Sequence, residues 1–272
     1  MNADFKSARV DEFGQVKFWE DKMGTPRTYN RLLNTQIKMF AAWLPVTNTF
    51  RLGDYGLMSG GVFHQIGHIS EFLGGDAVGP GNTRSSDNST TVDLKSEGTV
   101  VARTAAGVEV DAFPPAGDVD AEMKIEFTRE DSFLVKAKLT REDLDNTAFL
   151  AGQLKKQSGW KLKYRVVSSL YKTEGCTVIS AKRAGAEIKL GGSASALKAL
   201  DAASASTEVT YSSNQDIGLE IVGEGGVMGL GLFKLRLLGG GLRVLSNGHA
   251  PDDAELGMIE LDGPEDLDDN DV

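Results

Sequence analysis

Alternation of apolar and polar residues over Met123–Leu139 is the feature that most restricts the fold. Met123, Ile125 and Phe127 alternate with Lys124 and Glu126; Phe133, Val135, Ala137 and Leu139 alternate with Lys136 and Lys138. A period of two puts each set on its own side of a strand, which predicts two amphipathic strands around the turn 128–131, with Leu134 on the polar side. Trp160, Leu162, Tyr164 and Val166 alternate with Lys161, Lys163 and Arg165 in the same way and predict a third strand. In a soluble sheet the apolar residues, Leu162 included, would face a core, and Lys136, Lys138, Lys161, Lys163 and Arg165 would form a basic solvated face. Strands that line a membrane barrel share this period, needing about 9–11 alternating residues with the apolar side toward lipid. Met123, Ile125, Phe127, Phe133, Val135, Trp160, Leu162 and Tyr164 are therefore the candidate membrane-strand residues.

The rest of the chain adds helices and turns to this sheet. Leu33, Ile37, Phe40 and Leu44 lie on one helical face that opens near Arg27 and Thr28 and stops at Pro45. Two apolar runs around Gly60-Gly61 predict a hairpin over 50–69. Residues 74–92 are rich in Gly, Ser, Asn and Asp and read as a long loop. Val108, Val110 and Ala112 alternate with acids and suggest a strand, and Thr140 with Asp143 resembles a helix cap, predicting a helix to about Gln157. Shorter strands are expected near 175–181, 185–190, 206–212, 217–222, 227–237 and 241–246. With 32 Gly and 7 Pro, the expectation is an α+β chain: a twisted, mostly antiparallel sheet with flanking helices. Residues 1–27 would be an extension, 28–248 a single domain and 249–272 an acidic tail.

The charge is unevenly placed. Of 39 acidic residues, ten follow His249: Asp252, Asp253, Glu255, Glu260, Asp262, Glu265, Asp266, Asp268, Asp269 and Asp271. That leaves 29 against the 29 Lys and Arg, none of which lies in the tail, so the body is neutral. A body without a basic surplus argues against a nucleic-acid partner. The tail is either a solvated segment or a docking one, since it also carries Leu256, Met258, Ile259 and Leu261. Residues 1–20 have no apolar leader pattern, and no stretch approaches the roughly 18–20 apolar residues of a spanning helix. The chain is expected to be made soluble and cytoplasmic, and to meet a membrane only after a change of conformation.

Catalytic patterns are incomplete. His64 and His68 have the spacing of a helical zinc motif, but Gln65 stands where its Glu belongs. The glycines of 223–231 lack the Gly at 228 that a dinucleotide loop needs, and an alternating strand pattern follows them. Gly191-Gly-Ser193-Ala-Ser195 lacks the final Gly of a nucleophile elbow. Cys176, the one cysteine, excludes an intrachain disulfide and reads as a structural thiol. The expectation is no enzyme, no metal and no cofactor.

The order of segments carries a resemblance. An N-terminal amphipathic helix leads into the hairpin with Leu-Gly-Asp-Tyr-Gly and Gln-Ile-Gly-His-Ile-Ser-Glu-Phe. A variable loop, Ala105-Ala-Gly107-Val-Glu-Val, the strand pair 124–139, a helix, Lys163-Tyr-Arg-Val-Val and Gly191-Gly-Ser follow, with terminal strands ending at Asn247-Gly248. This order, over about residues 30–248, resembles the bacterial gasdermins, pore-forming cell-death proteins held inactive by a short C-terminal segment and released by a partner protease. The chain departs from them in having no Cys before Cys176, where the family carries an acylated Cys near the N-terminus. The resemblance implies a gasdermin-like fold and a soluble precursor activated by an unknown protease, forming a homo-oligomer in the cell membrane in antiviral defence. Arg243, Asn247 and Gly248 form the candidate cleavage region. The other reading is a non-enzymatic binding or assembly module with the same fold and no pore.

Overall fold

The computed structural model describes residues 9–10, 16–17, 24–114, 119–204, 208–213, 216–238 and 241–246. Strands β1 (Arg9–Val10) and β2 (Val16–Lys17) pair with each other. Helix α1 (Gly24–Ile37), β3 (Phe40–Ala41), the hairpin β4 (Asp54–Ser59) and β5 (Val62–His68), and α2 (Ser70–Leu73) come next. After two 3-10 turns come β6 (Thr83–Ser85), β7 (Thr90–Lys95), β8 (Thr99–Ala105), β9 (Val108–Glu109), β10 (Asp120–Phe127) and β11 (Phe133–Leu144). The remainder is α3 (Thr147–Leu154), β12 (Arg165–Ala181), β13 (Ala186–Ser193), α4 (Ala194–Asp201), β14 (Thr210–Ser213), β15 (Ile217–Leu238) and β16 (Gly241–Ser246).

Two antiparallel sheets organise the α+β fold. One has five strands in the order β14-β13-β10-β8-β9; the other has nine, with the path β16-β15-β12-β11-β6 and with β7 also paired to β11. Four strands of each match in order, β14-β13-β10-β8 against β15-β12-β11-β7. Each of β7–β8, β10–β11, β12–β13 and β14–β15 is consecutive in the chain and has one member in each sheet. The two sheets are thus one set of long strands folded over along a line of corners, a known way for strands to pass between packed sheets.

Three cores hold this arrangement. Tyr29 and Leu33 of α1 pack with Phe133, Val135, Ala137, Cys176 and Val178 on one side of the nine-stranded sheet. On its other side Leu134, Ile179 and Ala181 pack with Met123, Ile125, Phe127 and Ile188 of the five-stranded sheet and with Ala194, Leu197 and Leu200 of α4. The third core gathers the β4–β5 hairpin, α3, the start of β12 and the end of β15. Both faces of β11 are therefore covered where it leaves the corner. Each of its large side chains contributes about 1.5–3 kcal/mol by burial.

Several expectations hold. Gly60 and Gly61 both take positive φ, at 57° and 77°, as a two-residue hairpin turn requires. The strands expected near 175–181, 185–190, 217–222, 227–237 and 241–246 are present, fused into longer ones where β12 and β15 run on.

Others are corrected. Helix α1 ends at Ile37, because Lys38 turns left-handed (φ 57°) and Phe40–Ala41 pairs with Leu230 and Gly229 of β15. The Asn30 carboxamide oxygen accepts the Ala41 N–H at 2.8 Å and fixes that turn. The expected loop over 74–92 contains β6 and the start of β7, with Val92 buried beside exposed Asp93. Val108 lies in the two-residue β9, whereas Val110 and Ala112 lie outside any strand.

No helix starts at Thr140. β11 continues to Leu144, with Thr140, Arg141, Glu142 and Asp143 opposite Lys172, Tyr171, Leu170 and Ser169, and α3 begins only at Thr147. Trp160–Tyr164 is not a strand either. Turn hydrogen bonds run from Trp160 N to Gln157 O and from Tyr164 N to Lys161 O, and β12 starts at Arg165. Leu162 is 47% exposed. Its truncation, Leu162→Ala, is expected to cost under about 0.5 kcal/mol, against about 2–5 kcal/mol for buried Leu170→Ala on β12. Urea unfolding of the two variants measures both.

Candidate functional site

The corner where the two sheets meet gathers the strand residues singled out by alternation. Asp120–Phe127 pairs with Ala186–Ser193 in the five-stranded sheet, and Phe133–Ala137 with Cys176–Ser180 in the nine-stranded one. The register does not change between them. Phe127 faces Ala186 and Phe133 faces Ser180, six residues forward on one strand and six back on the other. Inside the corner the Asp131 N–H donates to Ala181 O and the Ala181 N–H to Ser132 O, both at 3.0 Å, so Asp131 and Ser132 share Ala181 as partner. Two antiparallel ladders with the same register offset, 120–127 with 186–193 and 133–137 with 176–180, thus meet at the corner, separated by turns at 128–132 and 182–185. The flanking ladders do change register across the corner: β8 sets Thr99 opposite Phe127, whereas β7 sets Lys95 opposite Leu134.

Local chemistry explains the bend. Asp131 sits at φ 52° and Gly98, in the β7–β8 connection, at φ 89°; Asp is among the few residues that visit this region readily. Side chains then fasten the turns. Ser96 Oγ accepts the Phe133 N–H at 2.6 Å, Ser132 Oγ donates to Glu97 O at 3.1 Å, and Arg129 pairs with Glu97 at 2.6 Å. Thr25 at the start of α1 donates to the Asp131 carboxylate at 3.2 Å.

The bend decides where the apolar stripe goes. Met123, Ile125 and Phe127 point into the core shared with α4, while Phe133, Val135 and Ala137 point to the opposite side of the nine-stranded sheet, against α1. The Tyr29 and Phe133 rings lie 5.3 Å apart. All six are odd-numbered positions of the segment 123–137. A straight strand would carry them on one face.

The remaining predicted positions scatter. Trp160 and Tyr164 join Tyr55 and Phe72 in an aromatic group with centroids 5.1–5.5 Å apart, on the third core. The proposed basic face is not one surface: Lys138, Lys161 and Lys163 are exposed, whereas Lys136 and Arg165 are buried. Arg165 lies over the Phe40 ring, 5.7 Å from its centroid. Lys136 points into the bend, with Nζ 2.7 Å from Asp93 Oδ2 and 2.6 Å from Asp201 Oδ1. Asp201 also takes Arg103 Nη2 at 2.9 Å. Alternation made Lys136 a surface residue; nothing local announces partners from β7 and α4.

Arg243 lies in β16, opposite Arg236 of β15, rather than in an open linker, and Asn247 and Gly248 fall outside the described residues. His68 is held by Ser70 Oγ at 2.8 Å and Leu52 O at 2.9 Å. Among the described residues no cluster of three His, Cys, Asp or Glu could hold a metal, and no helix is long and apolar enough to cross a membrane. The glycine-rich 223–231 lies within β15, and Ser193 caps α4 by accepting the Ala196 N–H at 3.2 Å.

No family model and no curated protein matches the chain. Among solved structures it is similar to a bacterial gasdermin from Bradyrhizobium tropiciagri, at 9% identity and TM-score 0.34, over 80% of this chain and 90% of that one. It is also similar to the gasdermin A3 membrane pore, at 11% identity and TM-score 0.31, over 86% of this chain and 97% of that one.

Two outcomes follow from the site's electrostatics. Burial, aided by the charge of Glu224, pushes the Cys176 thiol up to about 12. Native protein at pH 8 should leave Cys176 unmodified by a thiol reagent, and denaturant should release one equivalent; prompt labelling of the folded chain would contradict its burial. Burial alone would raise the Asp201 carboxyl, but hydrogen bonds from Arg103 and Lys136 outweigh it and hold the group below its ordinary value. A depressed carboxyl stabilises the fold above its unfolded pKa of about 3.9 and loses that contribution as pH falls through the folded value. The stability gap between wild type and Asp201→Asn should be level from about pH 5 to 8 and shrink below about pH 4.

Proposed function

We propose that the chain is the stored form of a membrane-permeabilising protein of gasdermin type, without catalytic activity. The observation that carries this reading is the bend between the two ladders. Within the eighteen residues 120–137, the paired positions 120–127 and 133–137 keep one register offset with 186–193 and 176–180 on the two sides of the corner. Straightened, the eighteen residues would measure about 60 Å at about 3.3 Å per residue, against a hydrocarbon core of about 30 Å. Two apolar stripes now buried in separate cores would then share one face, with Lys124, Glu126, Lys136 and Lys138 on the other. Apolar outside and polar inside is the pattern a membrane barrel needs. The segment order noted in the sequence supports the same reading.

Activation is by cleavage in 243–248, in the cytoplasm, by a protease that remains to be identified. Loss of residues 249–272 takes away ten negative charges that an anionic membrane surface repels. Oligomerisation in the cell membrane, and a role in cell death as a defence, complete the proposal. The pairing of Arg243 within β16 adds a condition: that strand must leave β15 before a protease can cut at Arg243.

The test is a chain carrying a specific protease site at Asn247-Gly248, cut after folding and added to anionic liposomes loaded with dye. Cut protein is expected to oligomerise and release dye, and uncut protein to do neither. A cut sample that stays monomeric and releases nothing across several lipid mixtures would overturn the pore reading and favour the binding-module alternative.

A further inference from the structure

The inside of the bend contains a charged group where the two sheets might have met through apolar contacts alone. Lys136, with a side chain 2% exposed, enters it from the nine-stranded sheet. Arg103 enters from the five-stranded sheet, on β8 opposite Met123, and so shares Met123's inward side. Both reach Oδ1 of Asp201, the last residue of α4, whose Leu197 and Leu200 lie in the same core. Asp93, cross-strand neighbour of Lys136, takes the same ammonium from the rim.

We propose that Asp201 is the keystone of a latch: by holding Arg103 from one sheet and Lys136 from the other on a single carboxylate oxygen, it keeps the strands folded over at the corner. The arrangement shows itself in its failure. Without the Asp201 charge, Lys136 and Arg103 from opposite sheets are left with only the rim carboxylate of Asp93 beside them, and the attraction through Asp201 gives way to repulsion between the two cations along the opening motion. Removing Lys136 as well abolishes that repulsion, so the second substitution should undo much of the first. An ordinary buried ion pair also recovers when both partners go, so the mark of the latch is where the loss falls: on the strands either side of the corner and not on the β4–β5 hairpin. The latch concerns the chain in water and goes beyond the pore reading.

Hydrogen exchange by mass spectrometry, on the full chain without membranes, tests it. In Asp201→Asn, amides of 121–127, 186–190 and 197–200 should exchange at least about tenfold faster, while the hairpin 54–68 is unchanged. Adding Lys136→Met should bring those amides back to within roughly threefold of wild type. Should Asp201→Asn fail to fold, Arg103→Gln takes its place, with a smaller acceleration expected in the same segments. Equal acceleration in the hairpin, no acceleration, or no recovery in the double variant would each overturn the latch. Dye release plays no part in the measurement, so its result stands apart from that of the liposome experiment.

Discussion

One constraint underlies the fold: the ladders 120–127/186–193 and 133–137/176–180 must share one register offset across a corner. Everything around the corner serves that end. Asp131 and Gly98 supply left-handed backbone, Ser96, Ser132 and Arg129 tie the turns together, and α1 and α4 cover the two sides exposed by the bend. Because side chains alternate along a strand, the bend decides which of the two cores each apolar residue enters. Slipping the register by one would exchange Ile125 and Phe133 with Glu126 and Ser132. The bent state is therefore specified by both cores together.

Charge inside the bend fits a structure that need not stay closed. A buried ion cluster adds little net stability compared with apolar packing, because desolvation offsets most of its attraction. What it supplies is dependence on geometry: the Asp201 contacts exist only while α4 and both sheets are together. An apolar contact tolerates sliding, whereas two donors on one oxygen do not.

The strands were largely legible in the sequence because burial on one face leaves a period of two, as at Met123, Ile125 and Phe127. The hairpin was legible because Gly60-Gly61 is a local signal. Failures came where distant partners overrode local pattern. Thr140 to Asp143 spells a helix cap, yet Glu142 pairs with Lys172 and Arg141 with Asp143 on a continuing strand, and Ser169 donates to Asp143 at 2.5 Å. Trp160 and Tyr164 alternate with lysines, but both rings are drawn onto Tyr55 and the chain turns between them. Helix α4 did carry its own signals, a Ser193 cap before an Ala- and Leu-rich run. The glycines before it had suggested only a failed nucleophile motif. The Lys136 cluster was beyond reach of the sequence, since its four members span 109 residues, from Asp93 to Asp201, on four elements.

The described body meets its flanking segments at two different places. Helix α1 begins beside the corner, with Thr25 on Asp131. Strand β16 ends at Ser246, opposite Phe233, which in turn faces Val166 at the opposite end of β12. From Val166 to Ala181 the strand runs about 50 Å at about 3.3 Å per residue. Whatever precedes residue 24 is therefore attached at the hinge line, and whatever follows residue 246 at the distal rim. Probes placed at these two attachment points would report on different events, one on the fold line itself and the other on the sheet edge remote from it.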